Sequence, residues 1–231
     1  MSKENLEKLN NKLLQHFKET GVENAYYYEP LFEYYWQLGE KIGLCNLESY
    51  DKSMTGIHKV TANLILDYWY NSQTIQKSLK MFQAITWKLE NESDYITEDI
   101  IKSFDNTAWE KAIEDMGLGL YFNLRLTTGN QVQEDKKGIE DFYKDPFYAE
   151  YFREFVNAAE LDMLIITGET GVKTINKIYP ELNLVWGDEM EAKVYDNVLF
   201  CPAPHPSRES YKKMADDLNY FFDLFFERTE K

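Results

Sequence analysis

Residues 161–182 read LDMLIITGETGVKTINKIYPEL. Leu161 and the run 163–166 are apolar, and the run stops at Thr167-Gly168. Val172, Ile175 and Ile178 then recur at helical spacing. A strand, a glycine turn and a helix in that order is the unit that builds parallel sheets, because parallel strands need a crossover between them. Three further short apolar runs bounded by polar residues read as strands of the same kind: KIGLCN (41–46), LGLYFNL (118–124) and NVLFC (197–201). The fold expected is one domain over residues 1–231, α/β, a three-layer α/β/α sandwich around a mostly parallel four-stranded sheet, with strands at about 41–46, 118–123, 162–167 and 197–202.

The helices follow from apolar periodicity. Leu6, Leu9, Leu13, Leu14 and Phe17 form one stripe over residues 3–18, inside an N-terminal helical segment of about 1–25. Residues 60–71 and 74–89 keep the same period. TEDIIKSFD (97–105) and TAWEKAIEDM (107–116) each open on a threonine suited to cap a short helix. Residues 146–159 form another, and 207–228 a last one, with Ser207 as its expected cap. Pro30 breaks or starts a helix in the aromatic stretch AYYYEPLFEYYW (25–36).

Composition excludes several functions. The chain has 231 residues, 44% of them hydrophobic, enough for a substantial core. No apolar run approaches membrane-spanning length, and the charged N-terminus does not read as a signal peptide, so a cytoplasmic protein is expected. Cys45 and Cys201 lie in apolar runs and read as buried thiols rather than a disulfide. Two cysteines and three histidines argue against an iron–sulfur cluster or zinc, and no metal or cofactor is expected. A net charge of -15 argues against a protein that coats nucleic acid. Much of the acid sits in 88–100, 133–145 and the last helix, while Lys52, Lys59, Arg125, Arg208, Lys212 and Lys213 flank the strand ends.

In open α/β sheets ligands bind beyond the carboxyl ends of the strands. The four ends here carry Asn46-Leu47-Glu48-Ser49-Tyr50, Asn123, Gly168-Glu169-Thr170-Gly171 and Pro204-His205-Pro206-Ser207. Two asparagines, a tyrosine and a histidine converge, with no serine or cysteine nucleophile beside a base. Each has a plainer reading when taken alone. The asparagines cap strand ends, Tyr50 packs, His205 satisfies a turn, Glu48 is a solvated loop acid, and the glycines serve a tight turn rather than a phosphate.

Taken together, the motifs resemble the uracil-DNA glycosylase superfamily, closest to its single-strand-selective monofunctional family. In NLESYDKSMTGI (46–57), Asn46, Tyr50, Thr55 and Gly56 hold the positions of that family's first motif without a gap. PHPSR (204–208) resembles the His-Pro-Ser motif at the last strand, and YFNL (121–124) looks like the strand whose asparagine reads a flipped base. The resemblance implies a catalytic role for Asn46, which would hold the attacking water, and for His205, whose ring would donate to the departing base oxygen. It implies that Asn123 reads the base and Tyr50 stacks on it, with Cys45, Thr55 and Gly56 around the substrate. DNA would bind through Lys52, Lys59, Arg125, Ser207, Arg208, Lys212 and Lys213, with Arg208 able to enter the gap the base leaves.

This sequence departs from the family at Leu47-Glu48, where Pro-Gly is usual, at Arg208, where Pro is usual, and at Tyr50, where Phe is usual. Glu48 is an added carboxylate that can act as a base or hold the substrate, and a modified pyrimidine is the expected substrate. No lysine stands in a Schiff-base position, so a monofunctional hydrolysis by a monomer is expected. Two other readings stay open: a glycosylase fold that has become a protein-binding module, and a hydrolase of free nucleosides or nucleotides.

Overall fold

The computed structural model describes residues 2–47, 55–66, 72–104, 109–127, 135–187 and 189–229. Its centre is a five-stranded sheet in the order β4-β2-β5-β7-β6. The strands are β2 (Ile42–Asn46), β4 (Gly119–Asn123), β5 (Met163–Thr167), β7 (Val198–Ala203) and the edge strand β6 (Lys193–Tyr195). The first four run parallel and are buried throughout, as continuous apolar runs require when both faces are covered. They stand within a residue or two of the expected positions.

The expectation of four strands is corrected by β6, which pairs antiparallel with β7. Its three residues are only partly buried or exposed, so it carries no apolar run. The hairpin turns on Asp196 and Asn197, both at positive φ (49 and 66), the geometry of a two-residue turn that asparagine and aspartate tolerate. A second, two-stranded parallel sheet pairs β1 (Ala25–Tyr27) with β3 (Ile57–Lys59).

Nine helices are seen among the described residues: α1 (Ser2–Thr20), α2 (Ala62–Leu64), α3 (Gln73–Glu90), α4 (Glu98–Ser103), α5 (Trp109–Met116), α6 (Asp135–Phe142), α7 (Pro146–Ala158), α8 (Gly168–Ile178) and α9 (Tyr211–Thr229). Strand alternation assigns their sides. Asn46 reaches Ser78 of α3, so α3 covers the face that carries Leu44 and Asn46. Gly171 of α8 lies against Ile166, whose register partner is Cys45, so α8 covers the opposite face. Two glycines make this packing possible. A side chain at Gly119 would collide with Phe82 of α3 and the Ile42 carbonyl. Gly168 turns the chain from β5 into α8 at φ +79, a region costly for any other residue.

The α1 stripe buries Leu6, Leu9, Leu13 and Phe17. Asn10 interrupts it and is also buried, its amide nitrogen donating to the Tyr28 carbonyl (3.1 Å) and its oxygen accepting from Tyr151 (2.7 Å). Thr97 caps α4 by accepting from the Ile100 amide at 3.2 Å. The cap expected at Thr107 lies outside the described residues. For α9 the cap expected at Ser207 is corrected: Ser207 belongs to a 3-10 turn, Pro206–Arg208, and Ser210 accepts from the Lys213 amide (3.1 Å) instead. Pro206 sets this turn, and the helix starts only after it. No helix among the described residues is long and apolar enough to cross a membrane.

Candidate functional site

The carboxyl ends of β4, β2, β5 and β7 lie side by side, so their terminal residues form one edge. Asn46 and Asn123 are register partners across β2 and β4. Thr167, the last residue of β5, follows the Cys45–Ile166 pair and stands beside Asn46. Thr167 is in turn the partner of Ala203 on β7, two residues before His205. Three of the residues singled out in the sequence, Asn46, Asn123 and His205, are thereby brought to the same edge.

Both asparagines are 2% exposed, and each carboxamide is held. The Thr167 hydroxyl donates to Asn46 Oδ1 at 2.6 Å, and Asn46 Nδ2 reaches Ser78 Oγ at 3.4 Å. Tyr121 donates to Asn123 Oδ1 at 3.4 Å, and Asn123 Nδ2 donates to the Tyr28 hydroxyl at 2.7 Å. A buried amide without partners is costly, so this network is what permits two asparagines in a closed interior. Burial pushes the Tyr121 phenol up to about 12 and that of Tyr28 well above its ordinary range, so both remain neutral hydroxyls able to donate and accept. Sequence reasoning missed Thr167, Ser78, Tyr28 and Tyr121. The only signal was for Thr167, at a strand end, and Tyr121, two residues before Asn123 on the same strand face; Ser78 within α3 and Tyr28 after β1 carried none.

His205 opens the 3-10 turn after β7 and is half-buried. Its Nδ1 lies 2.8 Å from Ser207 Oγ. A serine hydroxyl donating there leaves the ring proton on Nε2, the tautomer that can donate to a ligand. Ser207, expected at DNA, is thus engaged with the histidine. Pro204 and Pro206 on either side fix the backbone that carries the His205 ring.

The turn leads into a buried acid that the sequence did not single out. Glu209 is 4% exposed, and neither of its carboxylate oxygens meets a donor. Burial first, and the adjacent Asp217 second, push its carboxyl up to about 9, while Lys213 and Lys77 act in the opposite direction. Glu209 therefore keeps its proton at neutral pH. Lys77 of α3 donates to the Glu209 carbonyl, and its ammonium stands 5.6 Å from the centre of the Tyr211 ring.

Other expected residues are placed differently. Glu48, Tyr50 and Lys52 lie outside the described residues. Cys45 alternates to the face opposite Asn46 and is fully buried, its thiol pushed well above the ordinary range by burial. Thr55 is exposed, and the Gly56 amide donates to Asn24 Oδ1 at 2.8 Å, which ties this segment to the small sheet. Among the basic residues, Lys59 is paired with Glu29 and Lys213 with Asp217. Arg125 donates to Thr127 Oγ1 (2.8 Å) and lies over Gly138 of α6. Arg208 and Lys212 are exposed.

An aromatic cleft lies beside Asn123, lined by residues that include Tyr28, Phe122, Tyr143, Tyr148 and Phe152. Its free space is about 10 Å³, room for about one water and too little for a pyrimidine ring. It is core packing rather than a base pocket.

No family model and no curated protein matches this chain.

Proposed function

We propose that the protein is a monofunctional DNA glycosylase that takes a pyrimidine out of the helix and hydrolyses its N-glycosidic bond. The observation that carries this reading is the convergence of Asn46, Asn123 and His205 at one carboxyl edge of a parallel sheet, with both carboxamides oriented by hydroxyl groups. On this reading the chain is a three-layer α/β/α domain of the uracil-DNA glycosylase type, acting as a monomer in the cytoplasm.

The chemistry suits these groups. A base inside a duplex is out of reach until it is flipped, and its Watson–Crick edge then offers adjacent donors and acceptors. Asn123 answers such an edge because a carboxamide donates and accepts at once. Bond cleavage leaves negative charge on the base and positive charge on the sugar. His205 Nε2–H, aimed by Ser207 on the other nitrogen, stabilises the departing base, a role worth about 3 kcal/mol for a preorganised donor. Asn46 holds the water that attacks the sugar. Arg208 and Lys212 lead the phosphate contacts.

The test is to incubate the protein with oligonucleotides carrying uracil, 5-hydroxymethyluracil, or hydroxymethylated or glucosylated cytosine. Alkali-labile sites without a nick before alkali support the reading. Borohydride trapping of a covalent adduct would replace it with a lyase. The pairing of Lys59 and Lys213 with acids lowers the cationic field at the rim and favours, as the second reading, a hydrolase of free nucleosides. Release of base from a nucleoside but not from DNA would select it.

A further inference from the structure

In the proposed reaction Asn46 and His205 act on one bond, the first through the attacking water and the second on the departing base, so their separation matters. They lie at the ends of two strands of one sheet, with β5 between. The strand ladder fixes β7 as far as Ala203, the partner of Thr167, and His205 lies two residues beyond it. Hydrogen bonds inside the following turn set its shape. The Arg208 amide donates to the His205 carbonyl at 2.9 Å, and the Glu209 amide to that of Pro206 at 3.3 Å. They do not set its place relative to β2.

Helix α3 supplies a link between the two. Ser78 is fully buried, and its Oγ meets Asn46 Nδ2 at 3.4 Å. The preceding residue, Lys77, donates from its ammonium to the carbonyl of Glu209, which closes the His205 turn. Successive side chains on a helix diverge by about 100°. One turn of α3 therefore meets the end of β2 with one residue and the His205 turn with the one before it, and the helix packs against that turn. The Lys77 ammonium also stands 5.6 Å from the centre of the Tyr211 ring, in the first turn of α9. It is half-buried and engaged by the protein itself rather than offered to a phosphate.

We propose that Lys77 is a positioning residue that ties the His205 turn to the helix holding Asn46, and so sets the distance between the leaving-group donor and the water site. This rests on the reading of the edge as a base-excising site. Lys77 acts through His205 and touches neither base nor water. A reacting group displaced by about 1 Å can lose about a hundredfold in rate, so a tie of this kind carries weight in the chemical step.

The experiment uses the full chain with Lys77→Met, which keeps the stem and removes the donor, and Lys77→Arg, which keeps both. Lys12→Met on α1, whose ammonium pairs with Glu154 at 3.4 Å, is the control. At saturating DNA, Lys77→Met is expected to lower the single-turnover rate about tenfold, the scale of one hydrogen bond from a charged donor, with DNA affinity and its salt slope unchanged. Lys77→Arg is expected to keep the rate within about threefold. In a His205→Ala background Lys77→Met is expected to cost nothing further, because the group it positions is gone. The His205 ring resonances are expected to move in Lys77→Met and not in the control, without any substrate. Costs that multiply in the double variant, or a loss of salt slope with Lys77→Met, overturn the positioning role. A rate in Lys77→Arg as low as in Lys77→Met overturns the donor. If the unmodified protein releases no base, the glycosylase reading falls, and the His205 resonances alone decide the tie: unmoved, they overturn it.

Discussion

Replacing Glu209 by Gln should make the protein more stable, and increasingly so as pH rises from 5 to 8. Glu209 is buried, without a donor on either oxygen, and its carboxyl is pushed up to about 9 by burial and by Asp217. In the unfolded chain the same group ionises near 4.5. Below that value both states hold the proton and the group adds no pH dependence to stability. Between the two values the native state holds a proton that the unfolded state has released. Stability then falls as pH rises, by about 1.4 kcal/mol per unit, and levels off above the native value. From pH 5 to pH 8 the loss from this group alone is at most about 4 kcal/mol. Glutamine does not titrate, and its amide supplies a donor to the unpartnered Oδ2 of Asp217. The assay is urea denaturation of both proteins at pH 5, 6, 7 and 8. The stability difference should be small at pH 5 and widen steadily toward pH 8. Parallel profiles across that range would refute the raised Glu209 carboxyl. Glu209 closes the turn that follows His205, so its burial beside Asp217 places that turn against α9.

Further outcomes follow from single contacts. Gly168→Ala places a side chain at φ +79 with only an ordinary contact to His205, so the cost is conformational, about 1–2 kcal/mol. A melting temperature lower by about 2–8 °C is expected, and an unchanged one would contradict the turn assignment. Changing Arg208 and Lys212 together to Ala should reduce the salt slope of DNA binding by about 2, since each exposed cation releases about one counterion. Lys59→Ala should reduce it less, because Glu29 already neutralises Lys59. Equal effects at all three would mean that the ion pair does not persist in solution.

The sheet was readable because its four central strands are buried on both faces. LIIT, GLCN, LYFN and LFC are short apolar runs closed by asparagine, threonine-glycine or proline. β6 escaped notice because an edge strand with exposed residues has no such run, although Asp196-Asn197 is a recognisable turn pair. β1 and β3 are three residues each and pair across about thirty residues of chain, so local pattern carries nothing of them. α6 is polar and holds Gly138, which weakens the helical signal. At the site, Asn46, Asn123 and His205 were legible as strand-end polar residues. The hydroxyls that orient them were not. Tyr28 and Tyr121 are two of seventeen tyrosines, and only the folded contacts show which of them meet an asparagine. The ion pairs at Lys59 and Lys213 join separate segments or one helix face, so counting cations along the chain does not show them.

The most direct measurement follows the reacting bond itself. A single-turnover reaction on the oligonucleotide series is read by mass spectrometry for free base and for the abasic strand, with His205→Ala beside the unmodified protein. The account predicts stoichiometric base and abasic strand from at least one modified pyrimidine, and a rate lower by about 10²–10³ in His205→Ala, the loss of one transition-state donor. Base release at the same rate in a folded His205→Ala protein, or no release from any member of the series, would contradict it.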